Sequence, residues 1–187
     1  MIATESGLTD DIIIRDVIAG KDGAFVQLVN RYRRKVFALA ARFARDRDDL
    51  EDICQDIFIK VFENLDKFRN DAPFEHWLSR VAVRTCYDAL RKRRREKGNV
   101  PLDDIQYQLA DRSGEDYLAA EQARSILEKG MTELKPAERL VITLLELEEK
   151  PVREVAQLTG WSETNVKVRA FRARQKLKRF LEKNNER

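Results

Sequence analysis

Apolar residues recur at steps of three and four along most of this 187-residue chain, and no other feature limits its fold as strongly. That spacing places the apolar residues on one face of a helix. The strict alternation of apolar and polar residues that indicates a strand is nearly absent. We therefore expect an all-α protein.

Capping and helix-breaking residues divide this pattern into separate helices. Asp22 can cap the second helix, and Pro73 suits the first turn of the fourth, where its missing N–H is not needed. Gly98 is expected to end the fourth helix, and Ser162 can cap the last one. The expected helices run roughly from 10 to 19, 22 to 43, 48 to 68, 72 to 97, 116 to 133, 136 to 148, 151 to 158 and 162 to 183.

One segment interrupts the helical pattern. Its sequence, GNVPLDDIQYQLADRSGEDY, starts at Gly98 and combines glycine, proline, serine and aspartate, which are typical of a linker. We expect two small helical domains, 1–97 and 121–187, joined by an acidic flexible linker at 98–120. This linker is either a solvated spacer or an anionic strand that lies in a positive groove of a partner.

The net charge of +3 is the sum of parts with opposite sign. The first domain carries +3, the linker −4 and the second domain +4. Within them, residues 91–97 carry +5 and residues 160–187 carry +6. Clusters of lysine and arginine favour nucleic acid as a partner, so both sides of the linker are candidates for nucleic-acid binding.

Composition argues against a membrane protein and against an enzyme. No apolar run is long enough to cross a bilayer, and the first residues lack a secretory signal pattern, so we expect a cytoplasmic protein without membrane insertion. His76 is the only histidine, Cys54 and Cys86 lack metal-ligand spacing, and no glycine-rich phosphate loop is present. We expect no metal, no cofactor and no catalytic residues, with both cysteines buried as free thiols.

The expected third helix carries two apolar faces. One is an ordinary core face. The other places Ile59 and Phe62 inside a rim of acidic and amide side chains that includes Asp52, Gln55 and Asp56. Such a patch is typical of a protein docking site, although a second helix of the same domain would also bury it.

The expected fourth helix carries a basic stripe. Trp77, Arg80, Arg84, Arg91 and Arg95 lie within about 60° of arc. Guanidinium groups bind phosphates, and tryptophan and arginine planes stack on unpaired bases, so the stripe favours single-stranded nucleic acid. The alternatives are a core position for the tryptophan and a solvated charged face for the arginines.

The last 37 residues follow the pattern of a helix-turn-helix, with a short helix, a turn at Thr159-Gly160-Trp161 and a long final helix. Its inward stripe is expected to run from Val166 to Leu181. A recognition helix reads base edges with its N-terminal turns and binds phosphates through its basic residues. The outward and flanking residues, which are the DNA-binding candidates, are Thr164, Asn165, Lys167, Val168, Arg169, Phe171, Arg172 and Lys176.

Together these motifs resemble the sigma-70 family of RNA polymerase sigma factors, in its extracytoplasmic-function (ECF) group. The resemblance covers residues 25–97 and 121–183. Two residues depart from the family pattern: Arg84 stands where asparagine is frequent, and Asn165 stands where threonine is frequent. These departures concern the promoter sequence that the protein prefers and not its class of function. The matching segments are DLEDICQDIFIKVFENLDKFR, DAPFEHWLSRVAVRTCYDALRKRRR and the helix ending Arg172-Ala173-Arg174-Gln175-Lys176-Leu177.

The resemblance implies a specificity subunit that is not itself a catalyst. Its first domain would bind the β′ clamp helices of the RNA polymerase core and the single-stranded −10 element. Its second would contact the β flap and the duplex −35 element, and an anti-sigma factor would regulate both. The residues implied are Asp52, Gln55, Asp56, Phe58, Ile59 and Phe62 for core binding, and Trp77, Arg80, Arg84, Asp88, Arg91, Arg94 and Arg95 for the −10 strand.

Two other functions stay open from the residues alone. A helix-turn-helix repressor or activator would bind duplex DNA through residues 121–187 without any polymerase. An RNA-binding helical protein would use residues 91–97. This function would not explain the apolar pair and its acidic rim on the third helix.

Overall fold

The computed structural model describes residues 9–96 and 115–185, with side chains at 9–96 and 124–184. Every regular element in these ranges is helical, which confirms the all-α prediction. None of these helices is both long and apolar enough to span a bilayer. The α-helices are α1 (Asp10–Ile18), α2 (Ala24–Ala41), α3 (Arg47–Glu63), α4 (Phe74–Glu96), α5 (Glu115–Glu133), α6 (Pro136–Ile142), α7 (Val152–Thr159) and α8 (Glu163–Asn185).

The chain forms two compact units, Met1–Cys86 and Tyr87–Arg187, and the division falls within α4. Of the predicted linker, residues 98–114 lie outside the described residues. Residues 115–120 already belong to α5, because that helix begins at Glu115.

In the first unit, α1 packs on α2, and α2 packs on α3. Asp10 joins α1 to α2, because its two carboxylate oxygens accept hydrogen bonds from Arg31 Nη1 at 2.6 Å and from the Tyr32 hydroxyl at 2.5 Å. Burial and this hydrogen bond raise the pKa of Tyr32. The largest side chains that are fully buried in this unit are Ile13, Leu28, Val36, Phe43, Ile57, Val61, Leu65 and Val83.

Both predicted ends of α2 are wrong. Gly23, with φ of 73°, is the N-cap residue in place of Asp22, and glycine adopts this backbone conformation easily because it has no Cβ. The helix ends at Ala41. Phe43 is buried all the same, since the chain continues in a turn in which the Phe43 N–H donates to the Ala40 carbonyl at 2.9 Å.

The third helix ends at Glu63 and not at residue 68. Asn64 leaves the helical conformation, and its side-chain amide donates to the Lys60 carbonyl at 2.8 Å, which occupies a carbonyl that the helix end would leave free. A short 3₁₀ turn, Leu65–Lys67, follows. Phe68 comes after that turn and packs edge to face on Phe74 of α4, with ring centroids 5.5 Å apart.

In the second unit, α5, α6 and α7 all pack on α8. The inner face of α8 buries Val166, Ala170 and Ala173, as predicted. Leu181 was predicted to face inward and is 36% exposed, so that prediction is wrong. The reason is the close approach of α5 at Gly130, where an added Cβ would lie 3.0 Å from Phe180 and 3.2 Å from Leu177; these side chains, and not Leu181, face α5.

A π-helical turn, Thr143–Leu147, replaces the last part of the predicted sixth helix. Thr143 is completely buried, and its hydroxyl has no hydrogen-bond partner among the described residues. At the start of α6, the Lys135 N–H donates to Glu138 Oε2 at 3.0 Å, which satisfies a backbone N–H that the helix start would leave free.

The prediction for the two cysteines is confirmed, because Cys54 and Cys86 are both buried and neither is in a disulfide. Burial, with a smaller contribution from Glu51, raises the pKa of the Cys54 thiol to about 11.

Candidate functional site

The outer face of α3 is open to solvent. Ile59 is 46% exposed and Phe62 is 57% exposed, so no other helix in the described part of the first unit covers them. The alternative of a buried second face therefore does not hold. The remaining predicted core-binding residues lie around this pair: Asp52, Gln55 and Asp56 are exposed, and Phe58 is half-buried.

The apolar patch on α3 continues onto α2, which the sequence did not predict. Phe25 packs edge to face on Phe62, with ring centroids 5.0 Å apart, and Val26 beside it is 58% exposed. Helical spacing in α2 places Phe25 on the same stripe as Leu28 and Val36, which are buried in the core. The signal that could have found the extension is Val26, an apolar residue off that stripe. We call Phe25, Val26, Ile59 and Phe62 the apolar patch.

The basic stripe on α4 is exposed over most of its length. Arg93, inside the predicted basic run, is the exception, with only 8% of its surface exposed. The Arg91 guanidinium lies over the Tyr87 ring, 5.7 Å from the centroid. The exposed members of the predicted set are Arg80, Arg84, Asp88, Arg91, Arg94 and Arg95.

Trp77 lies between the core and the solvent. Its ring centroid is 5.7 Å from that of Phe68 and 5.6 Å from that of Phe74, and the side chain is half-buried. The aromatic cluster fixes the position of the indole, while part of its surface stays accessible. Both alternatives that the sequence left open for Trp77 thus hold in part.

The turn between α7 and α8 is built by three residues. Gly160 has φ of 74° and ends α7. The Thr159 hydroxyl donates to the Val155 carbonyl at 2.7 Å and accepts from the Trp161 N–H at 3.3 Å. Ser162 Oγ accepts from the Asn165 N–H at 3.2 Å, so the predicted cap at the start of α8 is confirmed.

The first turns of α8 present a mixed surface of polar, basic and apolar groups. Val168 is 42% exposed and Phe171 is 62% exposed. Asn165 and Arg169 are half-buried. Arg169 Nε donates to Asn165 Oδ1 at 2.5 Å, and its guanidinium stacks on Trp161. The exposed polar candidates are Thr164, Lys167 and Arg172.

Lys176 differs from the other candidates on α8. Its ammonium donates to Glu138 Oε2 at 2.7 Å, and the Glu138 side chain is buried. Burial alone would raise the pKa of Glu138, but the bonds from Lys176 and from the Lys135 N–H outweigh it and hold that pKa below its usual value. Lys176 therefore links α8 to the first turn of α6.

Comparison with known proteins shows which family this chain belongs to. The family description Sigma-70 region 2 matches residues 28–96, and Sigma-70, region 4 matches residues 124–177. The chain is also 32% identical over 176 residues to the ECF RNA polymerase sigma-E factor of Escherichia coli strain K12, covering 90% of this chain and 92% of that protein. The chain belongs to the ECF group of sigma-70 family sigma factors.

A second relative of this sigma factor is the ECF RNA polymerase sigma factor SigM of Mycobacterium tuberculosis, with 31% identity, covering 88% of this chain and 80% of that one. Solved structures share the fold. CnrH, solved in complex with the cytosolic domain of CnrY, has a TM-score of 0.58 and 27% identity over 92% of this chain and 97% of its own. The sigma factor RpoE from Bartonella quintana, solved with the anti-sigma factor NepR, has a TM-score of 0.60 and 23% identity over 84% and 96%.

Proposed function

We propose that this sigma factor works through two promoter-reading domains and one polymerase-docking face. Residues 1–97 dock on the RNA polymerase core and hold the −10 strand, and residues 121–187 read the −35 duplex and contact the β flap. Residues 98–120 connect them, so that two weak contacts act at a high effective concentration. The polymerase supplies the chemistry in the cytoplasm, and this chain is not an enzyme.

Core docking is assigned to the outer face of α3. The observation that carries it is the exposure of Ile59 and Phe62 within an acidic rim, on a helix inside the region 2 match. Apolar anchors surrounded by polar groups are typical of interface centres. The proposed contacts on the β′ clamp helices are Asp52, Gln55, Asp56, Phe58, Ile59 and Phe62, extended by Val26.

The −10 strand is assigned to α4. Its exposed arginines suit the backbone of a single strand, and the accessible part of the Trp77 ring suits an unstacked base. Because the aromatic cluster holds the indole, the stacking surface is in place before the strand arrives. The proposed residues are Trp77, Arg80, Arg84, Asp88, Arg91, Arg94 and Arg95.

The −35 duplex is assigned to the first turns of α8. Val168 and Phe171 offer apolar contacts such as those made with thymine methyl groups, and Lys167 and Arg172 offer phosphate contacts. We leave Lys176 out of this surface, because its ammonium is bound to Glu138. The remaining members are Thr164, Asn165, Lys167, Val168, Arg169, Phe171 and Arg172.

We also propose that an anti-sigma factor holds this protein inactive. Such a partner would bury the exposed apolar side chains Val26, Phe62 and Phe171, which otherwise present apolar area to water. The structure of the Bartonella quintana sigma factor with NepR illustrates this kind of complex on the same fold.

The docking assignment is tested by the affinity of the full chain for purified core polymerase. Ile59→Ser with Phe62→Ser is expected to weaken binding at least about 30-fold, because central apolar anchors dominate interface energies. The matched control is Ile18→Ser with Phe37→Ser, which removes the same residue types, 56% and 44% exposed, from positions outside the apolar patch. Equal affinity of both variants would contradict the assignment.

A further inference from the structure

A series of side-chain contacts in the first unit runs from α1 to the ring of Trp77. The Tyr32 hydroxyl on α2 donates to Asp10 Oδ2 on α1 at 2.5 Å. The Tyr32 ring packs edge to face on Phe74, with centroids 5.4 Å apart, and the Phe74 ring lies 5.6 Å from that of Trp77. Phe68, whose ring lies 5.7 Å from that of Trp77, completes this aromatic cluster.

Phe74 is the buried centre of the cluster. It is only 2% exposed, and its ring contacts the rings of Tyr32, Phe68 and Trp77. Protein interiors are close-packed, so a shift of one buried ring displaces the rings beside it. The orientation of the Trp77 indole therefore depends on where Tyr32 holds Phe74.

The hydrogen bond to Asp10 fixes the position of the Tyr32 ring. Burial, and then this bond, raise the pKa of Tyr32, so at neutral pH the hydroxyl keeps the proton that it donates. A hydrogen bond to a carboxylate is about twice as strong as one between neutral groups. The carboxylate is held in turn, because its other oxygen accepts from Arg31 Nη1 at 2.6 Å. Tyr32 is thus restrained at its hydroxyl by Asp10 and at its ring by Phe74.

A second contact joins α2 to α4 beside this cluster. The Lys35 ammonium donates to the carboxylate of Glu75, the residue after Phe74. Both side chains are about half exposed, and exposed ion pairs of this kind contribute little because water screens them. The ion pair is therefore a weaker restraint on the start of α4 than the buried ring contact.

We propose that Asp10 and Tyr32 are positioning residues for the −10 strand, because they hold the aromatic cluster that orients the Trp77 indole. This inference rests on the proposed binding of that strand to α4, and it extends the machinery to α1 and α2. A group that is already ordered before its ligand binds loses less conformational freedom on binding, which raises affinity. Loosening the cluster is therefore expected to weaken strand binding specifically.

The order of the indole is measured in the full chain with Trp161→Phe, where Trp77 is the remaining tryptophan. Tyr32→Phe keeps the ring and removes the hydroxyl, and Asp10→Ala removes its acceptor. Each change is expected to increase acrylamide quenching of Trp77 fluorescence and to lower its anisotropy. Because both changes break the same bond, the double variant is expected to differ from wild type no more than either single variant does. Additive changes, or no change, would overturn the coupling.

Strand binding is measured with holoenzyme assembled from core polymerase and the full chain. Two probes come from a promoter with a mapped transcript start: the upstream duplex through the −35 region, and the same duplex extended by a single-stranded −10 region. The ratio of the two affinities reports what the single strand contributes. Tyr32→Phe is expected to lower this ratio about 2- to 10-fold, the cost of ordering one side chain on binding. Trp77→Ala, which removes the stacking surface itself, is expected to lower it by roughly 5- to 150-fold.

Arg31→Gln is the matched control. It removes the guanidinium bound to the other oxygen of Asp10 and leaves the Tyr32 hydroxyl bond in place, so it is expected to keep the wild-type ratio. A loss equal to that of Tyr32→Phe would attribute the effect to the docking of α1 in general and would overturn the role of the hydroxyl.

The remaining outcomes separate this inference from the function on which it rests. If the single strand adds no affinity to the wild type, or if Trp77→Ala keeps the wild-type ratio, the proposed −10 binding fails, and the inference fails with it. If Trp77→Ala lowers the ratio but Tyr32→Phe does not, only the inference is overturned. Equal weakening of both probes by Tyr32→Phe would indicate a purely structural role for Tyr32 and would overturn it as well.

Discussion

Lys176 on α8 donates to Glu138 Oε2 on α6 at 2.7 Å, and this bond changes the role that the sequence predicts for the lysine. The carboxylate is buried and also accepts from the Lys135 N–H at 3.0 Å. One buried acceptor thus fixes the start of α6 and the middle of α8 together. Lys176 therefore links α8 to α6 within the second unit.

Lys176→Ala and Arg172→Ala are expected to change different properties: the first lowers stability, and the second weakens promoter binding. Loss of Lys176 should lower the free energy of unfolding by about 1–2 kcal/mol, because it leaves a buried carboxylate without its charged donor. Loss of Arg172 should leave stability nearly unchanged. It should make the slope of the logarithm of the promoter-binding constant against the logarithm of salt concentration shallower by about the contribution of one phosphate contact. Urea unfolding and salt titrations of holoenzyme binding measure the two effects. Lys178→Ala, at an exposed position, is the control for both, and a stability loss equal to that of Lys176→Ala would contradict the assignment.

The Glu138 bond also predicts a pH dependence. Because the pKa of Glu138 is lowered in the folded state, the folded protein binds fewer protons near that pKa than the unfolded chain does. The stability it contributes is complete above the unfolded value of 4.5 and is lost as pH falls through the folded pKa. Glu138→Gln should therefore be less stable than wild type at pH 7, and the difference in stability should narrow as pH falls below 4.5.

Trp161 fluorescence in a Trp77→Phe background follows unfolding of the second unit in both proteins, since the chain has only two tryptophans. A stability difference between wild type and Glu138→Gln that does not narrow as pH falls below 4.5 would contradict the ionic contribution of this bond.

Thr143→Val is expected to stabilise the second unit by about 1 kcal/mol. The substitution keeps the side-chain shape and removes a buried hydroxyl that has no partner in the described residues. Thr85→Val is the matched control, because Thr85 is equally buried but its hydroxyl donates to the Val81 carbonyl at 2.9 Å. It should give no stabilisation. A gain in both variants would attribute the effect to hydrophobicity and not to the missing partner.

Cys54 is expected to react slowly with iodoacetamide in the folded protein. With a pKa of about 11, roughly one thiol in a thousand is ionised at pH 8, and only the thiolate reacts. The rate should rise about tenfold per pH unit up to that pKa. Peptide mapping by mass spectrometry compares native and urea-unfolded protein, and equal rates at pH 8 would contradict the burial of this thiol.

Helical periodicity predicts the architecture of this sigma factor well, because amphipathic faces are set by local spacing. It also finds both faces of α3, since the two apolar stripes differ by half a turn. Periodicity fails where the helix changes its geometry: the break at Asn64 and the π turn at Thr143 alter the phase of the residues that follow. Leu181 is misassigned for a related reason, because its neighbour Phe180 takes the contact with α5.

The candidate surfaces, like the fold, are predicted only in part by the sequence. Residue type and spacing locate the basic stripe of α4 and the exposed side chains at the start of α8. They do not show which charges are already paired inside the protein. The Lys176–Glu138 bond spans 38 residues, and the stacking of Arg169 on Trp161 depends on the turn at Gly160, so neither follows from the spacing along one helix.

The most direct test of the whole account is transcription in vitro with core polymerase, followed by mapping of the transcript starts on genomic DNA. The account predicts that adding this protein to core polymerase produces transcripts from a limited set of discrete starts. It also predicts that Ile59→Ser with Phe62→Ser removes them, while Ile18→Ser with Phe37→Ser does not. Transcript starts unchanged from those of core polymerase alone, with duplex DNA still bound by this chain without polymerase, would contradict it and favour a repressor or activator.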